Sequence, residues 1–189
     1  MSLHTDHRAL VAVAALGFFV LTLIIAILPA IEIQKTQLLA GSTRLTPEAA
    51  RGRVLYLKEG CGYCHTQFVR DLEVDQPYGR GSVAADYALE KPPLLGTQRT
   101  GPDLANVGVR QPSEVWNLIH LYNPRAVVPQ SVMPAYPWFF ESRDQIGEND
   151  VVVPVPDQYA PTDQVIIATD EAIALVRYLQ SLNQPEISQ

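Results

Sequence analysis

Two cysteines three positions apart with a histidine directly behind them, Cys61-Gly62-Tyr63-Cys64-His65, are the residues of this 189-residue chain whose types and spacing define a chemistry most sharply. On a turn leading into a short helix, two thiols so spaced reach the two vinyl groups of one haem and form thioethers. The next residue, His65, is then set under the iron as an axial ligand. The chain has 2 cysteines and both lie in this motif. A thioredoxin-like CxxC would want a βαβ context, which the flanking pattern does not provide. A zinc site would need further Cys or His ligands at short spacing, and none lies near. The expectation is one covalently attached c-type haem.

A second axial ligand has few candidates. Of the 2 methionines, Met1 is the initiator, so Met133 stands alone, in Ser131-Val132-Met133-Pro134-Ala135-Tyr136. A neighbouring proline holds that loop extended while a thioether reaches the iron; a core-filling role suits a methionine on a helix better. The rival is His120. On a helix starting at Pro112 it lies about 140° from Val115, off the apolar stripe, where it would meet a haem propionate or a partner subunit. Arg125 and Tyr136 join His120 as expected haem surroundings. Ligation by His65 and Met133 raises the haem potential and suits one-electron transfer toward a high-potential acceptor.

The elements that must position these groups read mainly as short helices. Thr46 as N-cap, Pro47 at the first helical position and Glu48 beside the dipole start a helix that runs to Glu59-Gly60, just ahead of the cysteine turn. A second helix fits Pro112 to Tyr122, with Val115, Leu118, Ile119 and Tyr122 as its stripe, ended by Asn123-Pro124. The last fits Ala172 to Leu182, capped by Thr169 or Asp170, with Ile173, Val176, Leu179 and Leu182 as its stripe. Asp71 to Arg99 is a long structured loop of the kind that carries function. Val127 to Phe140 holds three prolines and cannot be regular, and the prolines of Val151 to Pro156 exclude a central strand. The expected class is all-α.

Ahead of these elements, Ala9 to Ile31 is a run of 23 residues without a charge. At 1.5 Å per residue it is about 34 Å long, enough to cross a hydrocarbon core of roughly 30 Å. It is too long for the apolar region of a signal peptide and has no Ala-x-Ala-like site behind it. Residues 1–40 therefore read as cytoplasmic N-terminus, membrane anchor and connector, and residues 41–189 as the haem domain. Arg8, His4, His7 and Lys35 give only a weak charge asymmetry. Orientation follows from chemistry instead: haem is attached outside the bacterial cytoplasm, which places the haem domain in the periplasm and the protein in the inner membrane.

The chain carries 14 Lys and Arg against 20 Asp and Glu, a net charge of −6, which is the wrong sign for nucleic-acid binding. The acidity is local: Glu141, Asp144, Glu148, Asp150, Asp157, Asp163, Asp170 and Glu171 face Arg143 alone. This reads as a solvated loop more readily than as a docking patch for a basic partner.

Beyond the motif shared by all c-type cytochromes, several segments resemble one family closely. They are Glu59-Gly60-Cys61, Tyr63-Cys64-His65-Thr66-Gln67, Tyr78-Gly79, Ser82-Val83-Ala84, Arg99-Thr100-Gly101-Pro102-Asp103-Leu104, His120-Leu121, Asn123-Pro124-Arg125, Val128-Pro129 and Met133-Pro134-Ala135-Tyr136-Pro137-Trp138. With the anchor, they resemble the membrane-anchored mono-haem cytochrome c subunit (subunit II) of cbb3-type cytochrome c oxidases over residues 1 to about 140. The resemblance implies His65 and Met133 as axial ligands and a haem-copper catalytic subunit that reduces oxygen to water as partner, fed by a soluble or dihaem cytochrome c. It also implies that the Tyr78–Ala84 loop lies against that subunit, and it admits a calcium ion shared there. In class I cytochromes c the first and last helices cross with a glycine beneath an aromatic, and Gly52 and Tyr178 look like that pair. Glu141 to Thr169 departs from the family pattern, with prolines where a helix would be expected. Spacing alone leaves open the cytochrome c subunit of a nitric oxide reductase and a free-standing membrane-tethered shuttle, although a minimal carrier has no use for the long 71–99 loop.

Overall fold

In a computed structural model, the structure describes residues 6–187; His4 and the amino terminus of the orientation argument lie outside them. Helix α1 (His7–Gln34) is uncharged from Ala9 to Ile31 and buries none of its residues against the rest of the chain. Asp6 caps it by accepting from the amides of Arg8 and Ala9 at 3.1 and 3.2 Å. One π turn, Leu23–Ile27, precedes Pro29. A proline cannot donate its amide to the ladder, so local widening there is the expected adjustment. Such a helix fits a membrane anchor.

The folded body is organised by two crossing helices. Helix α2 (Pro47–Lys58) starts as its cap residues dictate, with the Thr46 hydroxyl accepting from the Ala49 amide at 3.1 Å. Helix α5 (Asp170–Ser181) is capped likewise by Thr169 on the Ala172 amide. The two cross at Gly52: a Cβ there would fall 1.9 Å from the Ala174 carbonyl oxygen and 2.8 Å from the Tyr178 Cβ. Tyr56 packs edge-on to Tyr178 with ring centroids 5.4 Å apart. The glycine-under-aromatic crossing expected from Gly52 and Tyr178 is present.

Between α2 and α5 lie the short α3 (Val107–Arg110) and α4 (Glu114–Tyr122), the latter capped by Ser113. Two stripes differ from expectation. Helix α4 buries Asn117, Leu118 and Leu121 and leaves Val115 47% exposed. Its buried face is turned because the Asn117 amide donates inward to the Gln111 and Ser113 carbonyls at 3.0 and 2.8 Å. Helix α5 buries Ala172, Ala174, Leu175, Val176 and Tyr178, and Ile173 and Leu179 sit at the rim of that face. Small residues point inward where α2 comes close.

The fold is mainly helical, as expected, with one small sheet added. Strands β1 (Phe140–Arg143), β2 (Val151–Val153) and β3 (Val165–Ala168) form an antiparallel sheet in the order β1-β3-β2. Phe140 pairs with Ala168 on one side of β3, and Val153 with Ile166 on the other. The apolar Val165-Ile166-Ile167-Ala168 holds the centre. Proline-bordered β2 keeps to an edge, where a missing amide donor is tolerated. Thus the Glu141–Thr169 stretch, where a departure from the family pattern was expected, folds as a small sheet. Arg143 ties its turn by pairing with Glu141 and Asp150. The long 71–99 loop is structured through 3-10 turns at Glu73–Tyr78 and Ala84–Tyr87.

Candidate functional site

Helix α2 delivers the cysteine turn. Behind Lys58 the chain passes through Gly60 at φ +71°, a left-handed residue that ends the helix at low cost. A single 3-10 turn, Cys61–Tyr63, follows, and the amides of Cys64 and His65 both donate to the Cys61 carbonyl at 3.1 and 3.0 Å. Both cysteines are free thiols on one face of one turn, with Cys64 exposed and Cys61 half-buried. Burial pushes the Cys61 thiol up to about 11, so it is held protonated.

His65 is held by the segment that crosses it. The Gly101 amide donates to the Cys64 carbonyl at 2.9 Å and the Leu104 amide to the Thr66 carbonyl at 2.7 Å. Between those two bonds, the His65 Nδ1 lies 2.8 Å from the Pro102 carbonyl oxygen. With Nδ1–H donating there, Nε2 is the nitrogen left to bind a metal. Gly101 makes room for the ring: a Cβ there would stand 2.3 Å from the imidazole Cε1. Burial lowers the pKa of His65, outweighing its bond to Pro102, and so favours the neutral ligand form.

Opposite this turn stand α4 and the loop behind it. Met133 is partly buried against the core, its amide donating to the Ser131 hydroxyl at 3.2 Å and its carbonyl accepting from Arg125 Nη2 at 3.1 Å. The Tyr136 amide donates to the Leu121 carbonyl at 2.9 Å and so fastens the loop to α4. Tyr136 is buried, and burial pushes its phenol up to about 12, with Cys61, Glu59 and Cys64 acting in the same sense. Its hydroxyl therefore lies within electrostatic reach of the cysteine turn. His120 stacks on Trp116 at 4.6 Å, and its Nδ1 is buried without a hydrogen-bond partner. Burial, then the proximity of His65, brings its pKa down to about 4. His120 lies off the face of Asn117, Leu118 and Leu121 that α4 buries, as expected from its angle to the stripe, and within electrostatic reach of His65.

These residues fit a haem. Two cysteines three apart share a turn, the imidazole behind them is committed through Nδ1, and the His120 Nδ1 is buried without a protein partner. Among the described residues no group of three His, Cys, Asp or Glu side chains could hold a separate metal ion. Near the Tyr78–Ala84 loop, the Asp86 carboxylate is taken by Arg80 and by the Val83 amide.

The sequence matches the family model described as "Cytochrome C oxidase, mono-heme subunit/FixO" over residues 3–155. The chain belongs to this family. Membership makes it a mono-haem electron-transfer subunit that works in a membrane complex with an oxidase catalytic subunit. The matched span ends inside the sheet, just behind β2. No curated protein matches the chain significantly.

One feature of the site has no short-range signal in the sequence. Asp75 and Asp103 are both 0% exposed, and Arg99 pairs with each of them. Arg70 adds a two-pronged bond to Asp75 at 2.8 and 3.0 Å. The partners are 24 and 5 residues from Asp75, too irregular for a periodicity to reveal.

Proposed function

We propose that this chain passes single electrons through one c-type haem to the haem-copper catalytic subunit of a cbb3-type oxidase, which reduces oxygen to water. The observation that carries the reading is the pair of free thiols on the Cys61–Tyr63 turn with His65 anchored through Nδ1 on Pro102. Cys61 and Cys64 hold the haem covalently, His65 supplies Nε2 and Met133 its thioether. Bound in this way, a haem supplies reversible one-electron transfer at raised potential. The rest is done by the chain. Pro102 orients the imidazole, and Arg125 fixes the backbone of the Met133 loop. Tyr136 closes the apolar wall that keeps water from the ring, and the orphaned nitrogen of His120 is placed to donate to a propionate.

On this reading residues 1–40 comprise the cytoplasmic end, the span and its connector, and residues 41–189 form the periplasmic electron-transfer domain. Purifying the full-length chain from membranes in mild detergent tests it. The expected preparation carries one haem that resists acid–acetone extraction and copurifies with a large haem-copper subunit that consumes oxygen. Extraction of the pigment would overturn the covalent assignment, and copurification of a nitric-oxide-reducing subunit would overturn the partner.

A further inference from the structure

Beneath the His65 loop the structure buries more charge than packing would ask for. The Asp75 carboxylate accepts from the Arg70 amide at 2.9 Å, from the Arg70 guanidinium and from Arg99 Nη1. Asp103 accepts from the Thr66 hydroxyl at 2.5 Å, the Phe68 amide at 2.9 Å and Arg99 Nη2 at 3.3 Å. Arg99 also donates through Nε to the Thr66 hydroxyl at 3.0 Å and through Nη2 to the Phe68 carbonyl at 2.9 Å. The guanidinium groups of Arg99 and Arg110 both lie over the Tyr78 ring, 5.4 and 5.2 Å from its centroid. Buried ion pairs rarely stabilise a fold better than apolar side chains of the same size. What a two-pronged guanidinium between two carboxylates does supply is direction.

Its direction bears on the imidazole. Arg99 begins the strip that crosses the ligand loop, and it grips Thr66, the residue behind His65. Two and three residues further on, Gly101 packs on the imidazole and Pro102 accepts its Nδ1–H. A shift of Arg99 moves the strip relative to the ring, and with it the length and angle of that bond. We propose that Asp75 and Arg99 are positioning residues for His65: by clamping the Arg99–Leu104 strip onto the Thr66–Phe68 backbone, they hold the His65–Pro102 hydrogen bond and so set how strongly the imidazole donates to the iron. The inference rests on His65 being the axial ligand. A hydrogen bond at the far nitrogen makes a metal-bound imidazole a stronger donor, and a stronger donor favours the ferric state.

The full-length haem-loaded chain carrying Asp75→Asn, Arg99→Lys or Arg99→Gln tests this through midpoint potential and the ferric electron paramagnetic resonance spectrum. With the clamp loosened, all three raise the potential and change the g-value spread, while covalent haem content stays at the wild-type level. Charge alone predicts something else: removing the Arg99 cation lowers the potential, and Arg99→Lys leaves it unchanged. Either of those two results overturns the proposal. So does a lowered melting temperature with potential and spectrum unaltered, which a merely structural network would give. If Asp75→Asn fails to load haem, the two Arg99 variants decide between positioning and charge. His65→Gly serves as the separate control: a wild-type low-spin spectrum in that variant defeats the ligand assignment itself, whatever the clamp variants show.

Discussion

On the proposed reading Met133 and His120 both border the haem with different chemistry, and their substitution separates a ligand from a neighbour. Met133 sits in a loop held by Ser131 and Arg125, and losing its side chain leaves that backbone in place. In Met133→Leu the near-infrared sulfur-to-iron charge-transfer band should vanish and the potential fall, because a thioether no longer favours the ferrous state. A silent volume-conserving swap, costing under about 1.5 kcal/mol with the band intact, would show core filler instead. His120→Ala should keep the band, since the proposed role of its orphaned nitrogen is to meet a propionate. Acid response belongs to the same scale. Arg70 beside it, then Arg99, hold the Asp75 carboxyl well below the usual carboxylate range. A depressed native pKa contributes stability above the unfolded value of 3.8 that is lost as pH falls through the native one. Urea midpoints should therefore drop steeply below about pH 4 in the wild type, and Asp75→Asn should flatten that acid limb. An unchanged slope in the variant would assign the acid response elsewhere.

Helices α2 and α5 are the elements whose crossing carries the cysteine turn, and Gly52 sets how closely they approach. An added Cβ meets the Ala174 carbonyl oxygen at 1.9 Å, and that atom is backbone, so only movement of a whole helix relieves the clash. Gly52→Ala should cost about 3 kcal/mol or more, at or beyond the upper end for overpacking. Chemical denaturation of the haem-loaded protein measures it, and a loss under about 1 kcal/mol would mean the crossing is loose. Element boundaries were legible where a cap names them: Thr46 and Thr169 each accept the amide that their position demands, whereas α4 starts behind Ser113 and not at Pro112. Helix faces were less so. Val115 was expected inside and lies outside because Asn117, a polar residue, turns inward to satisfy two carbonyls. A hydrophobic stripe cannot register a buried amide.

For the whole molecule, one long apolar helix among the described residues buries nothing against the folded body and fits a membrane anchor. With haem attached outside the cytoplasm, a tag placed behind Gln189 should be cut by protease added to spheroplasts. Protection of the tag would reverse the orientation. The sheet Phe140–Ala168 belongs to this scale too. It stands beside the Met133 loop, with the Tyr159 hydroxyl donating to the Arg125 carbonyl at 3.3 Å, and the family match stops within it. Its acids are not a bare solvated loop: Arg143 ties Glu141 and Asp150 across the turn, although exposed pairs of this kind contribute little to stability.

Chemistry carried by adjacent residues was determined by the sequence alone. Cys61, Cys64 and His65 are neighbours on one turn whatever the rest of the chain does, and a run of 23 uncharged residues is long enough to span a membrane in any fold. The Gly52–Tyr178 crossing was readable by resemblance, because a helix glycine nine residues before the first cysteine has few other motives. What only the tertiary structure decided are the contacts between groups far apart in the chain. These are the Pro102 carbonyl on His65, the burial of the His120 Nδ1, the pairing of β3 with both its neighbours, and the carboxylates gripping Arg99. The physical reason is the same in each case. A buried polar group must find a partner, and which partner lies within 3 Å depends on how distant segments pack, something neither periodicity nor local spacing records.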